Sequence, residues 1–420
     1  MTFRLLIAAQ ALLLIGALGA GGVPAQSASG PSAPKPSLIV RDLDSPAGPG
    51  SAQPNIYPSP DGRFYLSWLE PAGEGRHAFR FAVRGAGGWS EPRTITEGND
   101  LLVNWADFPS LVAGRGGELI AHWAIKGTPG THASSIRMAR SRDGGRTWGK
   151  PFIPHADRSE TEHGFVSLMP MRDGRIAAVW LDGREMKEGS PGGHGHATGD
   201  MSLRFTMVGR DGNASEDLPL DLRVCECCQT SGAATSDGAI VVYRDRSEDE
   251  TRDISAVRFS RGKWTEPQGV SADGWKISGC PVNGPSVAAD GKRVAVAWFT
   301  AAGETPRVRV AFSDDAGASF GKPVQVDDAA PVGRVNVLML PDGAALVSWL
   351  ERTASGAEVR VRRVAPNGSR DGSLKVAESN AARVSGFPRM ARAGDEIVIA
   401  WTEPGASPRV RTAIIKYARK

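Results

Sequence analysis

The sequence returns seven times to one short pattern: a glycine-bearing turn, an apolar β-run, an aromatic and, in most copies, a charge. The copies read DGRFYLSWLE ending at Glu70, GGELIAHWAIK at Lys126, DGRIAAVWLDGR at Arg184, DGAIVVYRDR at Arg246, DGKRVAVAWFT at Thr300, DGAALVSWLE at Glu351 and GDEIVIAWTE at Glu403. The aromatics are Trp68, Trp123, Trp180, Tyr243, Trp298, Trp349 and Trp401, spaced by 51 to 63 residues on subtraction. A supersecondary unit repeated at such a period cannot bury its apolar face alone, so neighbouring copies must stack on one another.

Each repeat divides into four strand-like runs. In the second they are Phe108 to Gly114, Glu118 to Ile125, Ser135 to Trp148 with its turn, and Pro151 to Ala156. β-Branched residues alternate within the runs, Gly, Asp and Pro punctuate between them, and helical periodicity is absent. Four short antiparallel strands repeated seven times predict an all-β chain, a β-propeller of seven blades. Six blades follow if the first copy, Tyr57 to Trp68, is misread. The last repeat lacks its outer strand, and Ser37 to Asp42 from the other end of the chain can supply it, which leaves the ring with no open edge. One propeller domain over residues 37–420 accounts for the mature chain.

Ahead of it, Arg4 and the apolar run Leu5 to Leu18 precede a small-residue cleavage site at Val23-Pro24-Ala25. Residues 1–25 therefore read as a signal peptide and 26–36 as a flexible leader. The expected location is periplasmic or secreted, with no membrane attachment after cleavage. The net charge of +4 comes from scattered arginines without a basic stripe, which argues against a nucleic-acid partner.

A second signal lies between the third and fourth runs. Ser141-Arg142-Asp143-Gly144-Gly145-Arg146-Thr147-Trp148 fits S-x-D-x-G-x-T-W, Ser313 to Phe320 fits it with a conservative ending, and degenerate copies end in GGWSEP at Pro92 and GKWTEP at Pro267. In these motifs the chain resembles the sialidase-like Asp-box (BNR-repeat) β-propellers. The resemblance implies that the box is a structural turn on the outer rim, and that a ligand meets the channel on the opposite face. Where a sialidase carries Arg-Ile-Pro leading into its first blade, this chain reads Asn55-Ile56-Tyr57-Pro58.

Candidate residues sort by loop onto that face. Trp105 and Trp275 both precede an innermost strand and are expected to bind ligand or to pack beneath loops. Strand-end and loop charges, among them Arg184, Arg246, Glu351 and Glu403, form a ring suited to an anionic or polyhydroxylated ligand, since arginine grips carboxylates in a fork. The resemblance implies an exported glycoside hydrolase of the exo-α-sialidase type, with Asp107 as the acid and Arg244, Arg334 and Arg389 as the clamp. The alternative is a non-catalytic propeller holding a ligand or metal at a cysteine-rich site. All four cysteines precede adjacent blades: Cys225, Cys227 and Cys228 lead into blade four and Cys280 into blade five. Two readings stand open. Disulfides, such as Cys227–Cys280 or Cys228–Cys280, suit an exported protein. A soft thiolate site, with His163 nearby, suits Cu or Zn. The Gly-rich run with His194 and His196 is a further metal candidate.

Overall fold

The computed structural model describes residues 38–186 and 199–417. The signal peptide, the leader, and His194 with His196 lie outside the described residues. Seven antiparallel sheets follow one another along the chain. Their first strands are Ala52–Pro58, Ser110–Ala113, His163–Pro170, Ser231–Ala234, Ser286–Asp290, Pro331–Met339 and Arg389–Ala393. Each packs against the first strand of the next sheet, and the seventh packs against the first. These strands therefore ring a central channel, and the fold is a seven-bladed β-propeller. In blade seven, Leu38–Leu43 pairs with Arg409–Tyr417, outside Glu396–Glu403 and Arg389–Ala393. The N-terminal strand closes the ring, as the incomplete last repeat predicts. Blade two is the reduced one: its fourth run forms only a bridge between Met138 and Phe152.

The second strand of each blade lies between two neighbouring sheets, which explains its unbroken apolar run. Ile176–Asp182 is buried at all seven positions. Seven apolar clusters fill the seven gaps between blades. In each gap the repeat aromatic faces the preceding blade: Trp68 packs with Ala391 and Val398 of blade seven, and Trp349 with Ala297 and Val310 of blade five. Burying an indole leaves one polar atom to satisfy. The Trp68 indole N–H donates to Glu70 Oε2 at 2.6 Å and that of Trp180 to Asp182 Oδ2 at 2.8 Å. The Trp349 N–H likewise donates to Glu351. Side chains two apart on a strand point the same way, so in these three blades the charge after the aromatic receives this proton; the Trp401 N–H has no such partner, and Glu403 pairs with Arg411 instead.

The Asp-box turns hold the outer rim. Asp143 Oδ1 accepts from the Arg146 and Thr147 N–H groups, both at 3.0 Å, while the Gly145 N–H donates to Ser141 Oγ at 2.8 Å. Asp315 and Ser313 repeat the arrangement around Gly317 and Ser319. The box aromatic then wedges against the preceding blade, with the Trp148 ring edge-on to Phe81 at 6.2 Å. Gly145 has φ +79°, and a Cβ there would stand 2.3 Å from the Phe81 ring, whereas Gly144, at φ +72°, faces open space. Gly145→Ala should therefore cost roughly 2–4 kcal/mol, through strain plus overpacking, and Gly144→Ala only about 1 kcal/mol of strain. Urea unfolding of both variants checks this, and equal losses would show that the contact between blades contributes nothing.

Candidate functional site

Antiparallel order fixes the faces. Loops leading into first strands and loops from second to third strands share one face, and the Asp-box turns lie on the other. At the first of these faces the channel holds a cavity of about 120 Å³, bounded by blades one to four and seven. Asn55, Tyr57, Asp107, Ser167, Thr230 and Arg389 reach it.

The walls are shaped by bulges. The first strands of blades one, three and six each slip register near their start, between Ala52 and Asn55, Gly164 and Ser167, and Gly333 and Asn336. Each slip contains a residue at positive φ: Gln53 at 58°, Phe165 at 55° and Arg334 at 56°. Such bulges re-aim side chains and recur beside functional sites. The backbone N–H freed at each bulge is taken up by a side chain of the preceding blade. Phe165 donates to Asp107 Oδ1 at 2.8 Å, Arg334 to Asn283 Oδ1 at 2.7 Å, and Gln53 to Thr402 Oγ1 at 3.3 Å. Asp107-Phe108-Pro109-Ser110 and Asn283-Gly284-Pro285-Ser286 are thus the same structural position in two blades. Its hydrogen bond needs only a carbonyl-type oxygen, and asparagine supplies it in blade five.

Asp107 therefore brings an acid where the fold does not require one. Its side chain fits because residue 164 is glycine: a Cβ there would lie 2.2 Å from Asp107 Oδ2. Burial pushes the carboxyl up from its ordinary 3.8 to about 7, against a smaller opposing pull from the Phe165 N–H. Glu162, in the loop leading to the same bulge, is held up to about 8, first by burial and then by the charge of Asp107. The Tyr57 phenol, raised to about 12 by burial, stays neutral. Arg389 is the opposite case. Burial lowers it to about 10, so it remains a cation at neutral pH. Its guanidinium lies over the Phe108 ring at 5.2 Å, and among the described residues no carboxylate or hydrogen-bond acceptor meets it.

The other sequence candidates are placed differently. Arg334 does not reach the cavity: its guanidinium donates to the carbonyls of Ala381, Ala382 and Gly386 and lies 4.8 Å above the Trp105 ring. Arg244, 1 % exposed, donates to the carbonyls of Asn283, Arg252 and Phe299 and stacks 4.8 Å over Trp275. Trp105 stacks on Phe387, and Trp275 packs edge-on to Phe299, so both pack beneath loops. Arg184 is shared between Asp182 and Asp217, and Arg246 between Glu226 and Glu250. Glu351 is buried, accepting from Trp349 and from the Ala329 and Ala330 N–H groups. Glu403 lies on the surface, paired with Arg411. The expected disulfides are not formed: all four cysteines are free, and Cys225 and Cys227 hold their sulfurs 3.8 Å apart, in contact but unbonded. His163 stands apart from them, 3.0 Å from Asp157 and 3.6 Å from Asp182 and stacked on His155.

Sequence reasoning missed Tyr57, Ser167 and Thr230, which line the cavity. Aligning the short [Asp/Asn]-x-Pro-Ser segments across blades would have marked where the bulge and its neighbours fall.

The raised Asp107 has a consequence for stability. The fold binds its proton more tightly than the unfolded chain does, so the stability its neutral form contributes is complete below pH ~4 and lost as pH rises through about 7. Asp107→Asn should remove that decline, and thermal melts from pH 4 to 8 should diverge, with the variant the more stable at the alkaline end.

No family model matches the chain, and no curated protein matches its sequence. Solved structures do resemble it in fold. An ulvan lyase, a polysaccharide lyase solved with a saccharide of glucuronic acid and sulfated rhamnose, superposes with a TM-score of 0.55 at 11% identity, over 88% of this chain and 95% of its own. A Hadza microbial sialidase gives 0.51 at 14% identity, over 84% and 76%. A protein of unknown function from Dyadobacter fermentans gives 0.52 at 14%, over 91% and 98%. With its Asp-box turns and closed ring of blades, the chain has the sialidase-like β-propeller fold.

Proposed function

We propose that the protein is a carbohydrate-active enzyme that hydrolyses an acidic saccharide at the channel mouth. The observation that carries this reading is Arg389, a cation in the cavity wall with no anion of its own, sharing that cavity with a carboxyl group poised near pH 7. A buried charge without a partner is costly, and a sugar carboxylate would supply the partner in the fork geometry that guanidinium favours. The sialidase and ulvan lyase likenesses agree with such a ligand.

The chemistry follows from the raised carboxyl in the cavity. Asp107, half protonated near neutrality, gives its proton to the glycosidic oxygen as the C–O bond breaks, and the carboxylate so formed takes back a proton from the water that completes the anomeric carbon. We also infer export, on the strength of residues 1–25, and peptide sequencing of the mature N-terminus, expected at Gln26, tests it.

The test is a panel of sialosides, uronate-containing and sulfated oligosaccharides, with neutral sugars as controls. Asp107→Asn keeps the acceptor that Phe165 needs and should lower kcat by ~10²–10⁴-fold, with a smaller loss on aryl glycosides whose leaving group needs no proton. Arg389→Met should act mainly on KM. Turnover unchanged by Asp107→Asn, or no turnover of any acidic saccharide, would overturn the reading; saturable binding without turnover would leave a lectin-like propeller.

A further inference from the structure

The four cysteines lie together on the side of blade four. Cys225, 0 % exposed, and Cys228, 1 % exposed, flank the half-buried Cys227, and the three sulfurs all lie within 4.8 Å of one another. Cys280, exposed, meets the cluster through Cys227. Metal–thiolate bonds of ~2.3 Å place sulfurs about 4 Å apart around one ion. The 3.8 Å between Cys225 and Cys227 already has that spacing.

An independent observation concerns charge. Arg244 is 1 % exposed, donates only to backbone carbonyls, and forms no ion pair among the described residues. A buried cation so placed needs an anion nearby. Its charge reaches the thiols of Cys225 and Cys228. Arg252, itself paired with Glu226 and Glu250, adds a second cation, its Nη1 standing 3.5 Å from Cys225 Sγ.

We propose that Cys225, Cys227 and Cys228 form a three-coordinate thiolate site for a soft monovalent metal ion, Cu(I), with Arg244 and Arg252 as its built-in countercharges. Three clustered sulfurs, two of them buried, suit Cu(I), whereas a structural zinc site takes four ligands and would have to recruit the exposed Cys280. Binding displaces the remaining thiol protons to solvent and involves no change of oxidation state. The site is independent of the saccharide reading and is tested without any sugar.

The full mature chain, reduced with a thiol-free reductant, is titrated anaerobically with Cu(I) against a chromogenic Cu(I) chelator and weighed by native mass spectrometry. The expected result is one copper per chain, with three of the four thiols protected from Ellman's reagent. Cys280→Ser should bind as the parent does. Cys227→Ser should weaken binding by more than the ~10–100-fold that loss of an outer-shell partner costs, with an unchanged near-UV circular dichroism spectrum showing that it folds. Four thiols left reactive in the presence of Cu(I) would overturn the proposal. So would disulfides with no metal in the freshly isolated protein, or a preference for Zn(II) that is lost in Cys280→Ser.

Discussion

Each blade depends on a large aromatic buried between two sheets, and in five of the seven a carboxylate accepts from its single polar atom. Where the sequence places a carboxylate two residues on, as at Glu70, Asp182 and Glu351, the strand itself supplies the acceptor. Elsewhere the acceptor lies further off: Trp298 donates to Asp273 in a loop, and the Tyr243 hydroxyl to Asp221 in the outer strand of blade three, although Asp245 stands two residues on. Leaving such a donor unpaired in the interior costs about 1–3 kcal/mol, comparable to a sizeable part of a domain's net stability. The same aromatic also packs in the apolar cluster between two blades, so blade contacts and strand chemistry meet in one residue.

That requirement explains which features were legible. The repeat, the box turns and the closing strand are visible because each rests on local residue types: glycine at positive φ, serine and aspartate in a turn, alternation in a strand. The site was only half visible. Asp107 and Arg389 could be named from their loops, but so could Arg244, Arg334 and Glu351, and the sequence does not distinguish them. The difference lies in what each side chain meets: three carbonyls for Arg244, the Ala381–Gly386 loop for Arg334, and, among the described residues, no acceptor for Arg389. Long-range partners of that kind leave no trace in spacing. The carboxylates at strand ends suggested a ligand-binding ring because charge at a strand end and charge under an indole look alike in one dimension.

The bulges illustrate a related point. Seven copies of one unit make a symmetric channel, and symmetric walls give a ligand no orientation. Slips in blades one, three and six break the symmetry, and the acceptors that stabilise them differ in kind: a hydroxyl from Thr402, an amide from Asn283, a carboxyl from Asp107. Function can enter a repeat scaffold by such substitutions without disturbing the fold, because the hydrogen bond survives while the proton inventory changes.

The strand Leu38–Leu43 belongs to the blade whose other three strands lie more than 340 residues further along the chain. It has no partner until Arg409–Tyr417 exists. During synthesis the growing arc of blades therefore carries unsatisfied strand edges, and the first strand to emerge is the last to be seated. Unpaired edges recruit other chains, so for this protein the interval between making the first strand and making its partner is also the interval in which it is most exposed to wrong pairing.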